Sequence, residues 1–366
     1  MTSHATSFWE RISLEEKDRA GYLNAVQERY DGWDVKEFEY QGLCSFTLLL
    51  SPQQGYCTSE SGSQSSGHDP AYREPRQFIV QLRPAQHAIG LDVARTASMT
   101  YSSFAPTVQF LDLGLSGGLY AYEMSKIEGI PMSRLQSRQW SIAVDTQKKQ
   151  ETLIASFANV IAQGWPNFLS KKRRDSILRV EPPINEGQTI FSQCTGKVGS
   201  CTIRKLEKLV QDLPDVWLRE RAQSTLKGLC EVEEYPIVLN HGDLIPSNVL
   251  TNEETWEITG LVDWAEAEFL PFGTCLYGLE HLLGFFDRST FTYYDNAPKL
   301  RGYFWTSLFR LVPELRDREK DVRLMRDVGV LLWHGYAWDE GAIDRVVNEV
   351  DDYEELVKLR AFLSVR

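Results

Sequence analysis

The sequence has no CxxC pair, no apolar run of membrane-spanning length, no basic excess and no basic N-terminal segment leading into an apolar stretch. Six cysteines (Cys44, Cys57, Cys194, Cys201, Cys230, Cys275) lie at least seven residues apart. That spacing argues against a metal knuckle or a disulfide framework, and reduced thiols fit a cytoplasmic chain. The N-terminus, without the pattern of a secretory signal, points the same way. Without about 20 consecutive apolar residues, a membrane span is excluded. The net charge of −12 argues against a nucleic-acid surface. The one basic cluster, "SKKRRDS" at 170–176, reads as a solvated helix end or loop. Nothing in the composition sets an oligomeric state.

What is present is ordinary for a folded chain: 366 residues, 42% hydrophobic and 25% charged. That length accommodates two domains or one large two-part unit. Residues 9–30 read as an amphipathic helix, followed by strands in "WDVKEFEY" (33–40) and "CSFTLLL" (44–50) around a turn at Gln41-Gly42-Leu43. Residues 51–75 are rich in Ser, Gly, Gln and Pro and read as a flexible insertion. "RQFIVQLRP" (76–84) resumes as a strand, a helix follows at about 90–104, and strands return at 107–114 and 119–129. Beyond residue 130 the pattern is mostly helical, at 147–164, 204–213, 215–231, 276–286, 297–311, 316–338 and 341–363. The exceptions are the β-like runs 235–242 and 249–264, the second with a hairpin turn at "NEE". The expected class is α+β: an N-terminal helical extension (1–32), a small antiparallel β lobe (33–126) and a larger helical lobe (127–366) carrying a buried hairpin.

Within that helical lobe, "VLNHGDLIPSNVL" (238–250) interrupts an apolar run with His241, Gly242, Asp243 and Asn248, and Asp263 ends the next hairpin strand. A loop leaving one strand through Asp243 and returning at Asn248 holds both polar tips at one edge, where Asp263 can join them. Two hard oxygens with room for water and phosphate suit Mg²⁺, and the remaining Asp is then free to orient or deprotonate a hydroxyl. An Asx-capped turn would explain Asp243 and Asn248 alone, but not the apolar flanks or the second Asp.

"HGDLIPSNVL" followed by "GLVDW" resembles the aminoglycoside phosphotransferase and choline-kinase-like family, with its H-G-D-x-x-x-x-N and a strand ending in Asp. With "GLCSFTLLL", "FIVQLRP" and "LVDWAEAEFLPFG", the sequence looks most like fungal small-molecule phosphotransferase-like proteins of that branch, over roughly residues 33–340. The resemblance implies a bilobal protein-kinase-like fold and an ATP- and Mg²⁺-dependent transfer to a small-molecule hydroxyl. It implies that Asp243 is the catalytic Asp, His241 a supporting His of the catalytic loop, and Asn248 and Asp263 the metal ligands. "AYEMSKIEG" sits where the family has its hinge, so backbone groups of Glu123, Met124 and Ser125 would face an adenine. Ser45, in the turn from Gly42, would approach the nucleotide phosphates.

One part of the pattern departs. A kinase needs a Lys on the third strand of its small lobe, held by a carboxylate on the next helix. In "FIVQLRP" that position is Gln81; strand alternation puts Arg83 on the same face, and Asp92 is the carboxylate available to pair with it, with His87 and Arg95 as competing partners for Asp92. Two readings follow. The first is the phosphotransferase, with Arg83 in place of the Lys and an acceptor whose cationic character Glu266 and Glu268 hint at. The second is the same fold turned to ATP-independent chemistry on a metabolite, or to non-catalytic metabolite binding. His281 and His334 read as core histidines, and Trp333, Tyr336 and Trp338 as core packing or as lining of a substrate cleft.

Overall fold

The computed structural model describes residues 8–12, 16–42, 44–53, 77–114, 118–166, 168, 190–339 and 341–365. Most of the 51–75 insertion and the basic cluster at 170–176 therefore lie outside the described residues, as does Cys57; the other five cysteines are free thiols. The chain forms two compact units, one of residues 1–95 with 106–126 and one of 96–105 with 127–366.

The first unit is built on an antiparallel sheet of five strands: β1 (Trp33–Glu37), β2 (Phe46–Pro52), β3 (Phe78–Pro84), β4 (Val108–Leu111) and β5 (Leu119–Ser125), in the order β1-β2-β3-β5-β4. Alternation in "FTLLL" and "FIVQL" turns Phe46, Leu48, Leu50, Val80 and Leu82 into a single core. The N-terminal segment is two helices, Phe8–Arg11 and Glu16–Arg29, and not the one continuous helix its periodicity predicts. Phe8, Trp9, Tyr22 and Val26 pack into that same core, so these helices are part of the unit instead of standing apart as an extension. The β1–β2 connection is closed by Gln41, whose side chain accepts from Thr47 N–H (2.8 Å) and donates to Thr47 O (2.7 Å), imitating a strand neighbour.

The second unit is mainly helical, with the long helices Val144–Gln163 and Ala297–Leu311 packed together through Phe157 and Phe304, whose ring centroids are 5.7 Å apart. It holds β6 (Ile130–Pro131), β7 (Ile237–Asn240), β8 (Val249–Thr251), β9 (Ile258–Leu261) and β10 (Glu268–Pro271). The strands β6-β8-β9 form one antiparallel sheet and β7-β10 another. Two expected helices are shorter than their patterns. Residues 276–286 give only Tyr277–Leu282, and "GFFDRSTFTY" turns into the hairpin β11 (Gly284–Asp287) and β12 (Thr290–Tyr293), because its aromatic and β-branched run favours a strand and Arg288 takes the turn at φ 54°. The expected helix 341–363 is confined to Tyr353–Ser364, since Asn348 Oδ1 accepts from Val350 and Asp351 N–H (2.9 Å each) and so competes with helical pairing.

Candidate active site

In the second unit, β7 runs into His241, Gly242 and Asp243, and the chain returns at Asn248 to enter β8. Asn240 anchors the start: its Nδ2 donates to Leu270 O (3.0 Å) and its Oδ1 accepts from Cys275 N–H (3.1 Å), fastening β7 to β10 and to the turn beyond it. Tyr101 adds a second brace, its hydroxyl donating to Leu239 O at 2.7 Å. Gly242 has φ 75°, and a Cβ there would lie 1.9 Å from Glu266 O, so no other residue fits without moving the backbone. We expect Gly242→Ala to lower the unfolding midpoint and to remove most activity together, by displacing the loop; full activity in a stable Gly242→Ala protein would show that the close approach is dispensable.

His241 is buried, with both ring nitrogens engaged by backbone: Nε2 lies 2.9 Å from Val262 O, and Nδ1 is 3.3 Å from Asp243 N. Asp243 N–H can only donate, so Nδ1 is the acceptor and Nε2 carries the proton towards Val262 O. Burial pushes the imidazole down to about 4 despite the nearby Asp263 carboxylate, leaving a neutral ring. Its ring packs 4.5 Å from Trp264, which in turn packs 4.9 Å from Tyr101.

Asn248 binds Asp243 twice: Nδ2 donates to the Asp243 carboxylate (2.7 Å) and to its carbonyl (2.9 Å). With the amide N–H groups directed at Asp243, Oδ1 is the remaining polar atom of this buried side chain. The pairing of β8 with β9 continues one step past the strands, Val262 N–H donating to Asn248 O at 3.0 Å. Asp263 is thereby the next residue beyond the pair, in the left-handed region at φ 63° and ψ 65°. A non-glycine residue in that conformation stores strain, which a surrounding structure sustains where a side chain must be aimed. Burial, reinforced by the Asp263 charge, raises the Asp243 carboxyl to about 7 against the hydrogen bond from Asn248. Tyr277, on a buried helix, holds the far side of the loop by accepting Leu244 N–H at 3.0 Å, and Trp333 stacks on it at 5.0 Å and 8°. The donor set suits a hard cation: one amide oxygen and one carboxylate beside a second carboxylate that repels the first. Among the described residues no group of three or more His, Cys, Asp and Glu offers an all-protein metal cage.

The residues expected at the nucleotide lie in the first unit. Gln81 faces Thr47, to whose Oγ1 its Nε2 donates (3.3 Å), and accepts from Arg83 Nε (3.0 Å), so Gln81 and Arg83 do share a face. Arg83 is buried and also donates to His87 O at 3.4 Å. Asp92 is at the surface, its carboxylate 3.1 Å from Arg95 one helical turn on, which is one of the two competing partners that the sequence offers. Ser45 is buried, with its hydroxyl against Gly42. Glu123 accepts from Tyr30 and Gln109, and Met124 is buried. Ser125 donates its N–H to Thr107 O (3.0 Å) and accepts Thr107 N–H on its hydroxyl (2.9 Å). Because β5 is paired along both edges, the backbone groups at 123–125 expected to face an adenine are engaged in the sheet.

One further expectation changes, that for Glu268, while His281 and His334 are core residues as their helical apolar context predicts. Glu268 is not an acid directed at an acceptor: it receives the N–H groups of Lys197, Val198 (3.1 Å) and Gly199 (2.8 Å), capping a short helix. His281 and His334 are both buried, their rings 5.2 Å apart against Phe362. Tyr336 is core, its hydroxyl donating to Lys205 O (2.8 Å), whereas Trp338 is exposed. Asn240, Tyr101 and Tyr277 were not among the expected site residues. Asn240 directly precedes His241 and was recoverable as one more polar residue in the apolar run; Tyr101 and Tyr277 carry no local signal.

No curated protein matches the sequence. Solved structures do resemble the fold at low identity. Aminoglycoside phosphotransferase APH(4)-Ia is 14% identical, with a TM-score of 0.51, over 94% of this chain and 98% of that one. A thermostable variant of that enzyme, a ternary complex with AMP-PNP and hygromycin B, gives 14% and 0.51 over 94% and 98%. The GDP complex of a mutant aminoglycoside 2'-phosphotransferase-IIIa gives 14% and 0.53 over 94% and 97%. These likenesses show an α+β, protein-kinase-like fold. The family model described as the phosphotransferase enzyme family matches residues 74–273, more than half of the chain and the whole of the Asp243–Asn248–Asp263 segment, and on that match the protein belongs to the phosphotransferase enzyme family.

Proposed function

We propose that the protein transfers the γ-phosphoryl group of ATP to a hydroxyl of a small molecule. The observation that carries this reading is the coupled group in the second unit: a partly buried Asp243 bound twice by Asn248, with Asp263 placed beside them by the continued β8–β9 pairing. Asp243 orients the acceptor hydroxyl and, held near neutrality by burial, accepts its proton. Asn248 Oδ1 and Asp263 are the residues to hold Mg²⁺, which when bound would neutralise phosphate charge and the repulsion between Asp243 and Asp263. His241 positions the loop through its two backbone contacts and transfers no proton. In the first unit, Arg83 and Ser45 are the candidates for the nucleotide phosphates. The AMP-PNP and GDP complexes of the structural neighbours support a nucleoside triphosphate donor, and their aminoglycoside substrate supports a polyhydroxylated, cationic acceptor class.

A specific observation favours a second reading, in which the fold serves a reaction without ATP. The third-strand position is a neutral amide, and Arg83, the cation beside it, donates to that amide and to a backbone carbonyl. Calorimetry with ATP and Mg²⁺, and with GTP as the comparison, separates the two. We expect Mg²⁺-dependent nucleotide binding, and a loss of about 100-fold or more in Asp263→Ala, as removal of a metal ligand exceeds the effect of removing an outer partner. Absence of binding at millimolar nucleotide would sink the phosphotransferase reading and leave the second.

A further inference from the structure

A cavity of about 480 Å³ opens among the helices Val216–Leu229, Ala297–Leu311 and Glu319–His334, all within the second unit. Its lining carries six Arg or Lys side chains against three carboxylates, in a chain whose net charge is −12. The cations divide into two sets. At the floor, Arg301 and Arg326 are buried and bound to Glu280 at 2.7 Å each, a closed arrangement with little to offer a ligand. At the rim, the charges are held loosely. Lys320 pairs with Glu231 and Arg323 with Glu319 in exposed pairs worth little in themselves, and Arg323 also lies over the Trp305 ring, 4.3 Å from its centroid. Lys227 projects beside them into solvent. Arg221 bonds Asp327 through Nη2 (3.0 Å), while its Nε is shielded from solvent and has no acceptor among the described residues. A buried guanidinium N–H without an acceptor is costly, which leaves Arg221 a lining cation with hydrogen-bonding capacity to spare.

We infer that this cavity is a binding site for a small phosphorylated or polyphosphate anion, received by Arg221, Lys227 and Arg323. Guanidinium forks match phosphate oxygens in pairs, and Lys227 contributes a movable point charge. The three carboxylates of the lining, Glu231, Glu280 and Asp327, are each already paired with a cation, so an entering anion meets a surplus of positive charge. The volume exceeds what one inorganic phosphate fills and falls within the range of small-molecule sites.

The test is calorimetry of the full chain with inorganic pyrophosphate in EDTA, which silences a metal-dependent site at Asp263, alongside citrate as a carboxylate anion. The expected result is one site per chain, retained in Asp263→Ala and weakened about tenfold or more in both Lys227→Glu and Arg323→Gln, as the loss of a charge-assisted contact predicts. Lys227 is exposed and its substitution leaves the core untouched, so a folding defect in Arg323→Gln does not remove the test. No heat at millimolar pyrophosphate, equal affinity in Lys227→Glu and wild type, or loss of binding in Asp263→Ala would each overturn the assignment. Citrate binding more tightly than pyrophosphate would overturn its phosphate character.

Discussion

Asp243→Asn will remove phosphoryl transfer while making the folded protein more stable at alkaline pH. The activity half follows from the loss of the only carboxylate that Asn248 holds in the loop: the amide keeps the volume and an oxygen for Asn248, but it cannot accept a proton. General-base contributions of this kind are about 10²–10⁴-fold, and kcat should fall by that range with nucleotide affinity little changed. The stability half follows from linkage. The folded-state value of about 7 lies above the ordinary 3.8, so the folded protein binds this proton more tightly than the unfolded chain. Stability from the protonated carboxyl is full below 3.8 and is lost as pH rises through 7, leaving a buried, repelled charge. Removing that charge should add up to roughly 4 kcal/mol at pH 8, and much less at pH 4. Thermal unfolding of both proteins at the two pH values measures the difference. A variant less stable than wild type at pH 8 would show that the ionised carboxylate is held by favourable contacts, contrary to the site described here.

Glu280→Gln should have the opposite character, a large loss of stability at neutral pH. Glu280 is 1% exposed and neutralises Arg301 and Arg326, both nearly as buried, while Arg326 also donates to Phe362 O at 2.7 Å. The carboxylate therefore fastens three helices, Tyr277–Leu282, Ala297–Leu311 and Glu319–His334, and Arg326 extends the group to Tyr353–Ser364. Breaking a buried pair from one side leaves charge uncompensated and costs about 3–5 kcal/mol, which corresponds to a midpoint shift of about 10 °C. Replacing all three residues together by apolar side chains should recover much of the loss, because the remaining penalty is the stranded charge and not the missing attraction. Burial alone would raise the Glu280 carboxyl, but Arg326 and Arg301 outweigh it and hold it below the usual range. Its contribution is thus complete above 4.5 and is lost as pH falls through the lowered folded value. A Glu280→Gln midpoint within a degree of wild type would show that Arg301 and Arg326 find other acceptors.

Much of the architecture was written in local pattern. Alternation in "FTLLL" and "FIVQL" is a short-range property, and it yields the core face of the sheet without knowledge of the partner strands. The Asp243–Asn248 spacing likewise predetermines a loop whose two ends meet, and the hairpin that follows returns Asp263 to the same edge. That segment also lies within the family match, which extends over residues 74–273.

Other features were not settled by the helical or strand spacing alone. "GFFDRSTFTY" became a hairpin because its two halves could pair, which overrode the helical spacing of the preceding leucines. Glu268 looked like a substrate-facing acid until the Lys197–Gly199 backbone, about seventy residues away, claimed it. Asp92 stood on the expected helix, but with its side chain towards solvent and Arg95. Tyr101, Tyr277 and the Glu280–Arg301–Arg326 group have no spacing signature, since the hydrogen bonds that join them to other elements close only when separate helices and strands pack. The sequence by itself determined which residues form the His241–Asn248 loop, because a turn and a hairpin are set by a few adjacent dihedrals. Only the tertiary structure decided how tightly that loop is braced, how far Asp243 is driven towards its proton, and where the cations collect, because burial and long-range pairing belong to the packed chain.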